Sequence, residues 1–299
     1  MKKAILLWAM LVWFGIVQAQ PADTAVIEPP QLMIRCDDIG MCHTVNMAAQ
    51  QLLEKKIPFS ASVMFVCPWY QEGVAILKEH PEIAVGVHLT LNAEWKNYRW
   101  GPVAGAGSVP SLVDSCGHFF PSRDRFFANR PKTEEVEIEL RAQIERGLRS
   151  GLRIDYIDYH MGTAVSTPEL RDLVEKLAKE YHLGISRYLG EIDAKSIYAV
   201  RPEAKTDSLA AIVSRLEAES ISLAVFHIGL ETPEMGALTD LNSFGLVEMS
   251  RHRHAELNAL CSDELRSAVQ AGGIRLITYR DLVKEVGLEN MKAPVESDY

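Results

Sequence analysis

Seven times along this chain a short run of apolar and β-branched residues gives way to a stretch with helical spacing, and that alternation permits few folds. The β-rich runs cover residues 31–36, 60–66, 83–91, 154–160, 184–188, 221–227 and 274–278, with helical stretches near 44–56, 70–79, 133–149, 168–182, 207–219, 254–271 and 280–286. Strands separated by helices pair in parallel, and a closed or nearly closed barrel best covers the edges of such a sheet. We expect a single-domain α/β fold, a distorted seven-stranded (β/α) barrel with long rim loops. A doubly wound open sheet is the alternative. Helix starts support the reading: an acidic first turn follows Thr133, and Ser166 and Thr167 precede Pro168 at a first helical position. A chain of 299 residues with 47% hydrophobic content can bury one large core without a second domain.

Four of these runs finish on ionisable side chains. The first stops at Asp37 and Asp38, just before Gly40. Two carboxylates so close rarely stay ionised together unless a cation or a shared proton relieves them. Taken alone, the pair fits equally well a solvated turn with an Asp capping a helix that begins near Thr44. Further on, Ile83 to Asn92 alternates so that Gly86, His88, Thr90 and Asn92 share one strand face, and His88 points where Gly86 leaves room. Asp158 and His160 share a face near the end of their strand, and His227 stands close to Gly229. A single histidine at a strand end is more often structural than functional. In a parallel sheet, however, all C-terminal strand ends meet at one rim, bringing Asp37, Asp38, His88, His160 and His227 toward one point. One carboxylate with two imidazoles suits a divalent cation with open positions, and one acid and one histidine remain for proton transfer.

The order of these segments carries a resemblance. Asp37-Asp-Ile-Gly40, Gly86-Val-His-Leu-Thr-Leu91, Asp158-Tyr-His160 and Phe226-His-Ile-Gly229 are followed by Arg253-x-x-Glu256-Leu257 and Leu276-Ile-Thr-Tyr-Arg-Asp281. From about Leu32 to Leu282 this series resembles the YdjC-like carbohydrate deacetylases, the ChbG family. The resemblance implies that Asp38, His88 and His160 hold one divalent metal ion, that Asp37 is the catalytic base, and that His227 stands at the acid position. The chain departs from the family pattern at Met161-Gly162-Thr163, where further histidines are usual, and at Ile228, where proline is common. The three presumed ligands are all present.

The chemistry expected is metal-dependent hydrolysis of N-acetyl groups on amino sugars or chitooligosaccharide-like substrates. A cation lowers the pKa of water and stabilises the oxyanion, Asp37 takes the proton of the attacking water, and His227 donates to the departing nitrogen. Two imidazoles and a carboxylate suit zinc, the resemblance also permits magnesium, and the residues do not choose between them. Asp158 and Asp281 are candidates to orient other groups, with ordinary strand-end capping as the plainer role. Arg187 could contact the base or the carbonyl, or form a surface ion pair. The long excursion from Asn92 to Arg130 includes Trp95 and Trp100, whose rings suit the apolar faces of sugars; a locally packed lid is the alternative. Two competing readings are a non-catalytic carbohydrate-binding protein on the same barrel and a glycoside hydrolase. The second needs carboxylates about 5–9.5 Å apart across a glycosidic bond.

The first nineteen residues have the three-part plan of a secretory signal: Lys2 and Lys3, an apolar stretch from Ala4 to Val17, and a small-residue site ending at Ala19. We expect cleavage there, export to the periplasm or beyond a bacterial cell, and no stable membrane insertion afterwards. Residues 28–288 would form the catalytic domain and 289–299 a tail. Cleavage removes two lysines and no acid, moving the formal charge from −9 to −11 with 29 basic against 40 acidic residues. Such an excess repels phosphate backbones and argues against a nucleic-acid partner, leaving an N-acetylated mono- or oligosaccharide as the expected one. Five cysteines without CxxC spacing suggest neither a disulfide scaffold nor a cysteine metal site.

Overall fold

A computed structural model describes residues 28–294, so the signal segment expected at 1–19 lies outside the described residues. Among the described residues there are eight strands: β1 (Gln31–Ile39), β2 (Ser60–Val63), β3 (Ala84–Leu89), β4 (Ile154–Tyr159), β5 (Gly184–Ile185), β6 (Ile192–Asp193), β7 (Ile221–Phe226) and β8 (Arg275–Ile277). Their order is β5-β4-β3-β2-β1-β7-β6, and every pairing between these strands is parallel. β8 joins the first three residues of β1, and β2 pairs with β1 further along, from Arg35 to Ile39. The result is a curled, open (β/α) barrel whose seam falls between β5 and β6. Sequence reading finds every strand except β6, a two-residue piece too short for any periodicity to register.

Ten α-helices connect and cover these strands: α1 (His43–Glu54), α2 (Tyr70–Lys78), α3 (Arg123–Ala128), α4 (Thr133–Arg149), α5 (Pro168–Tyr181), α6 (Lys205–Val213), α7 (Pro233–Gly236), α8 (Met249–Leu260), α9 (Asp263–Ala271) and α10 (Tyr279–Val286). The single helix expected over 254–271 is two. Ser262 adopts extended backbone and its side chain accepts the Leu265 N–H, so it caps α9 and interrupts the run. α5 begins as expected, with Thr167 accepting from Leu170 N and Pro168 at the first position.

Side chains pointing into the barrel form layers. At the N-terminal end of the strands Met33, Ala84, Leu223 and Ile277 make an apolar floor, with Tyr156 and Tyr279 stacked above it at 4.1 Å. Next come the polar links Ser62 to Tyr156 and Ser186 to Tyr279. The ionisable residues occupy the C-terminal rim. Gly86 serves this interior differently from the expectation: a Cβ there would lie 2.4 Å from the Tyr156 ring, so the room it leaves is filled by that tyrosine rather than kept for His88.

Candidate active site

Adjacent strand residues normally face opposite sides of a sheet, so Asp37 and Asp38 could not both serve one site on a regular strand. A bulge resolves this. Against β2, Cys36 aligns with Ala61 and Ile39 with Val63, so β1 carries one extra residue there, and Asp38 takes a left-handed φ of 65°. Both carboxylates then turn into the rim, 3% and 0% exposed. Gly40 follows at φ 85°, where a Cβ would meet the Tyr70 Cα at 2.7 Å, so the chain passes tightly under α2.

Asp38, His88 and His160 form a triangle of donor atoms. Asp38 Oδ1 lies 3.4 Å from His88 Nε2 and 3.4 Å from His160 Nδ1, and the two nitrogens are 3.3 Å apart. Donors at zinc-ligand distances in a tetrahedral arrangement are separated by about 3.3–3.5 Å, so these three fit one face of such a site. Asp38 Oδ1 is also buried without a hydrogen-bond partner, as expected of an atom reserved for a cation. Each histidine has a carboxylate behind it: His88 Nδ1 is 3.0 Å from Asp158 Oδ2, and His160 Nε2 is 3.0 Å from Glu94 Oε2. Such partners fix the ring and its tautomer and make the inward nitrogen a better donor.

Charge points the same way. Asp37, Asp38, Asp158 and Glu94 are buried beside two guanidinium groups, Arg35 and Arg253, so two negative charges are left unbalanced by fixed partners. Burial would raise the Asp38 carboxyl, but Arg253 and then the two neighbouring histidines hold it well below the usual range. Burial would lower both imidazoles, yet Asp158 and Asp37 raise His88 well above a normal histidine, and Glu94 with Asp38 pushes His160 up to about 9. The pocket thus recruits positive charge, which a divalent cation would supply in place of two protons.

Asp37 has a different environment. Arg35 Nε meets its Oδ1 at 2.7 Å and Arg35 Nη2 its Oδ2 at 2.8 Å, a two-pronged pairing from two residues back on the same strand face. Burial would raise the Asp37 carboxyl, but Arg35 and then His88 keep it below its ordinary value. Asp37, His88 and Asp158 are also close enough to share an ion, but Arg35 Nε, 3.2 Å from Asp158 Oδ2, already supplies the cation between those acids. The barrel mouth holds a cavity of about 440 Å³ lined by the triad, Asp37 and His227. A second, of about 690 Å³, opens on the other side of Asp37 and His227 toward the seam.

Residues 31–271 match the profile of the YdjC-like proteins. The chain belongs to the YdjC-like family. Relatives named carbohydrate deacetylase include one from Brevibacillus brevis, 28% identical over 84% of this chain and 99% of its own length, and one from Enterococcus faecalis, 27% identical over 84% and 98%. A crystal structure from Enterococcus faecalis V583, provisionally described as a cellobiose-phosphate cleavage protein, superposes with a TM-score of 0.70 at 24% identity over 85% of this chain and 99% of that one. That likeness establishes the barrel fold.

Within this YdjC-like barrel the other candidates take varied places. Asp158 holds His88, as described. Asp281 is no part of the site: its carboxylate accepts the Thr278 N–H and hydroxyl in a capping box that starts α10. Arg187, at φ 72°, pairs through Nε with Asp193 and lies over the Tyr159 ring, lining the seam cavity with no recorded contact to Asp37. Trp100 is no open sugar platform. It is 4% exposed, its Nε1 donates to Asn92 O, and its ring lies edge-on behind His160. Trp95 lines the triad cavity but is 2% exposed, stacked near Arg253. The Asn92 to Arg130 excursion packs down: Glu139 of α4 accepts the N–H groups of Val103 and Ala104, and Glu135 that of Ser111.

Sequence reading gave no role to Glu94, Arg35 or Arg253. Glu94 continues the alternation of buried polar residues His88, Thr90 and Asn92 by one more step, a signal that was available. Arg35 stands two residues before Asp37 in an otherwise apolar run, also visible. Arg253 Nη2 binds Asp38 Oδ2 at 2.6 Å across 215 residues, and no local pattern predicts such a contact.

Proposed function

We propose that this chain is an exported, metal-dependent carbohydrate N-deacetylase, with its catalytic domain over residues 28–288. One observation carries the reading: an unpartnered Asp38 oxygen and two carboxylate-backed imidazole nitrogens share one triangle beside the Arg35-gripped Asp37. Asp38, His88 and His160 would hold the ion. When bound, it supplies Lewis acidity, making water a better nucleophile at neutral pH and stabilising negative charge on the carbonyl oxygen.

Asp37 does the proton work at the nucleophile. Its two oxygens accept from Arg35 and keep further lone pairs, so the carboxylate is ionised, fixed in direction and able to accept the proton of the attacking water. His227 lines both cavities beside Asp37, where its ring can protonate the departing nitrogen. The acetyl group would sit by the triad and the sugar in the open cleft. The relatives' shared name, carbohydrate deacetylase, supports this substrate class. Zinc and magnesium are the candidate ions.

Acetate release from N-acetylchitooligosaccharides, measured with and without a chelator, tests the reading. Chelator-sensitive acetate is expected. New reducing ends without acetate would point to a glycosidase, and saturable binding without either product to a carbohydrate-binding protein.

A further inference from the structure

The α8 segment Arg253-x-x-Glu256 is only half explained by the hold of Arg253 on Asp38. Glu256, three residues on, is 2% exposed and engaged on both oxygens. Oε1 accepts Lys205 Nζ at 2.8 Å, and Oε2 accepts the backbone N–H of His227 at 2.6 Å. Lys205, fully buried at the start of α6, also donates to the carbonyls of Ile197 at 2.7 Å and Tyr198 at 2.8 Å, so all three of its N–H groups are used.

Every partner of this pair belongs to the rim. The β1–β7 ladder ends at Cys36 and Phe226, so His227 is the first residue past the sheet's control, and Glu256 takes over its amide. Tyr198, held through its carbonyl, places its ring edge-on to His227 at 5.2 Å, and both line the triad cavity. The His227 Nδ1 is buried and has no hydrogen bond, so no side-chain contact through that nitrogen fixes the ring. A buried ion pair is commonly no more stabilising than apolar residues of similar volume, so stability alone does not account for one here. We propose that Lys205 and Glu256 are positioning residues for the proton donor, holding the His227 backbone and the Tyr198 wall so that the imidazole meets the departing nitrogen. This inference rests on the acid role proposed for His227.

Amide cleavage leaves a nitrogen that must gain a proton as the C–N bond breaks, whereas 4-nitrophenyl acetate releases a phenolate that needs none. In Glu256→Gln, and in the double variant Lys205→Met/Glu256→Leu, deacetylation of N-acetylchitobiose should fall about 30-fold or more while ester hydrolysis falls less than about 3-fold, as in His227→Ala. Bound metal, measured by elemental analysis, should stay at the wild-type level. In metal-free protein the His227 ring resonance, assigned by its loss in His227→Ala, should shift or broaden in both variants, a readout independent of turnover. If both variants keep the wild-type amide-to-ester ratio and an unchanged resonance while His227→Ala loses the ratio, the positioning role is wrong and the acid role stands. Parallel loss of amide and ester turnover in the variants would mean general disruption and would also overturn it. If His227→Ala itself preserves the ratio, the acid role falls and this inference with it.

Discussion

Two guanidinium groups approach the paired acids from different sides: Arg35 grips both oxygens of Asp37, and Arg253 takes one oxygen of Asp38, leaving the other turned toward the histidines. The proposed division of the acids into a base and a ligand predicts that single substitutions separate them too. Asp37→Asn should keep its metal and lose turnover by about 10²–10⁴-fold. His88→Ala should lose both, and equal metal loss in the two variants would reverse the roles. With Asp37 as the proposed base, its protonation should set the acidic limb of activity. Because Arg35 holds that carboxyl below its ordinary value, the limb should lie below the range of an ordinary aspartate in the wild type. Arg35→Gln removes the cation, raises the proton affinity of Asp37 and should move the limb upward, visible in kcat/KM against pH for metal-saturated protein. The histidines titrate in the opposite sense. Raised above the usual value, His88 and His160 retain protons in metal-free protein at neutral pH, and those protons must leave for the nitrogens to coordinate. Apparent metal affinity should therefore rise with pH through the neutral range, by up to about tenfold per unit for each proton released. Calorimetric titration at pH 6 and pH 8 would test the slope.

Among elements, β1 and α4 do the most to build the rim. The bulge in β1 lets neighbouring acids face the same way, and the acidic face of α4 ties down the excursion that supplies Glu94, Trp95 and Arg123 to the cavity. Glu139 is fully buried, accepts two loop N–H groups, and takes a third bond from Gln143, which itself holds the Thr90 backbone. Glu139→Ala would leave buried donors unpaired and should cost about 2–4 kcal/mol. Denaturant unfolding would measure this, and proteolytic nicking near residues 103–106 should accelerate before global unfolding does. The acidic residues of α4 were visible in sequence as a helix start; that some of them serve a loop thirty residues earlier was not. Likewise the run over 254–271 has helical spacing throughout, and only the cap made by Ser262 reveals the break.

At the scale of the whole molecule, the barrel confines a surplus of buried negative charge at its mouth, and a cation that binds only the folded chain must stabilise it. A hundredfold excess of metal over its dissociation constant contributes about 2.7 kcal/mol, so chelation should lower the thermal midpoint by at least about 5 °C. An unchanged midpoint would argue against a resident ion. No described helix is long and apolar enough to cross a membrane. What the sequence determined by itself was the parallel βα order and the placement of Asp37, Asp38, His88, His160 and His227 at strand ends, because apolar periodicity and strand termini are local properties of the chain. What only the tertiary structure decided was which atoms face each other: the bulge that turns two adjacent acids inward, the Arg253 hold on Asp38, the Glu256 hold on His227, and the burial of Trp95 and Trp100. Those depend on side-chain directions and on contacts between residues up to 215 positions apart, which alternation along one strand does not encode.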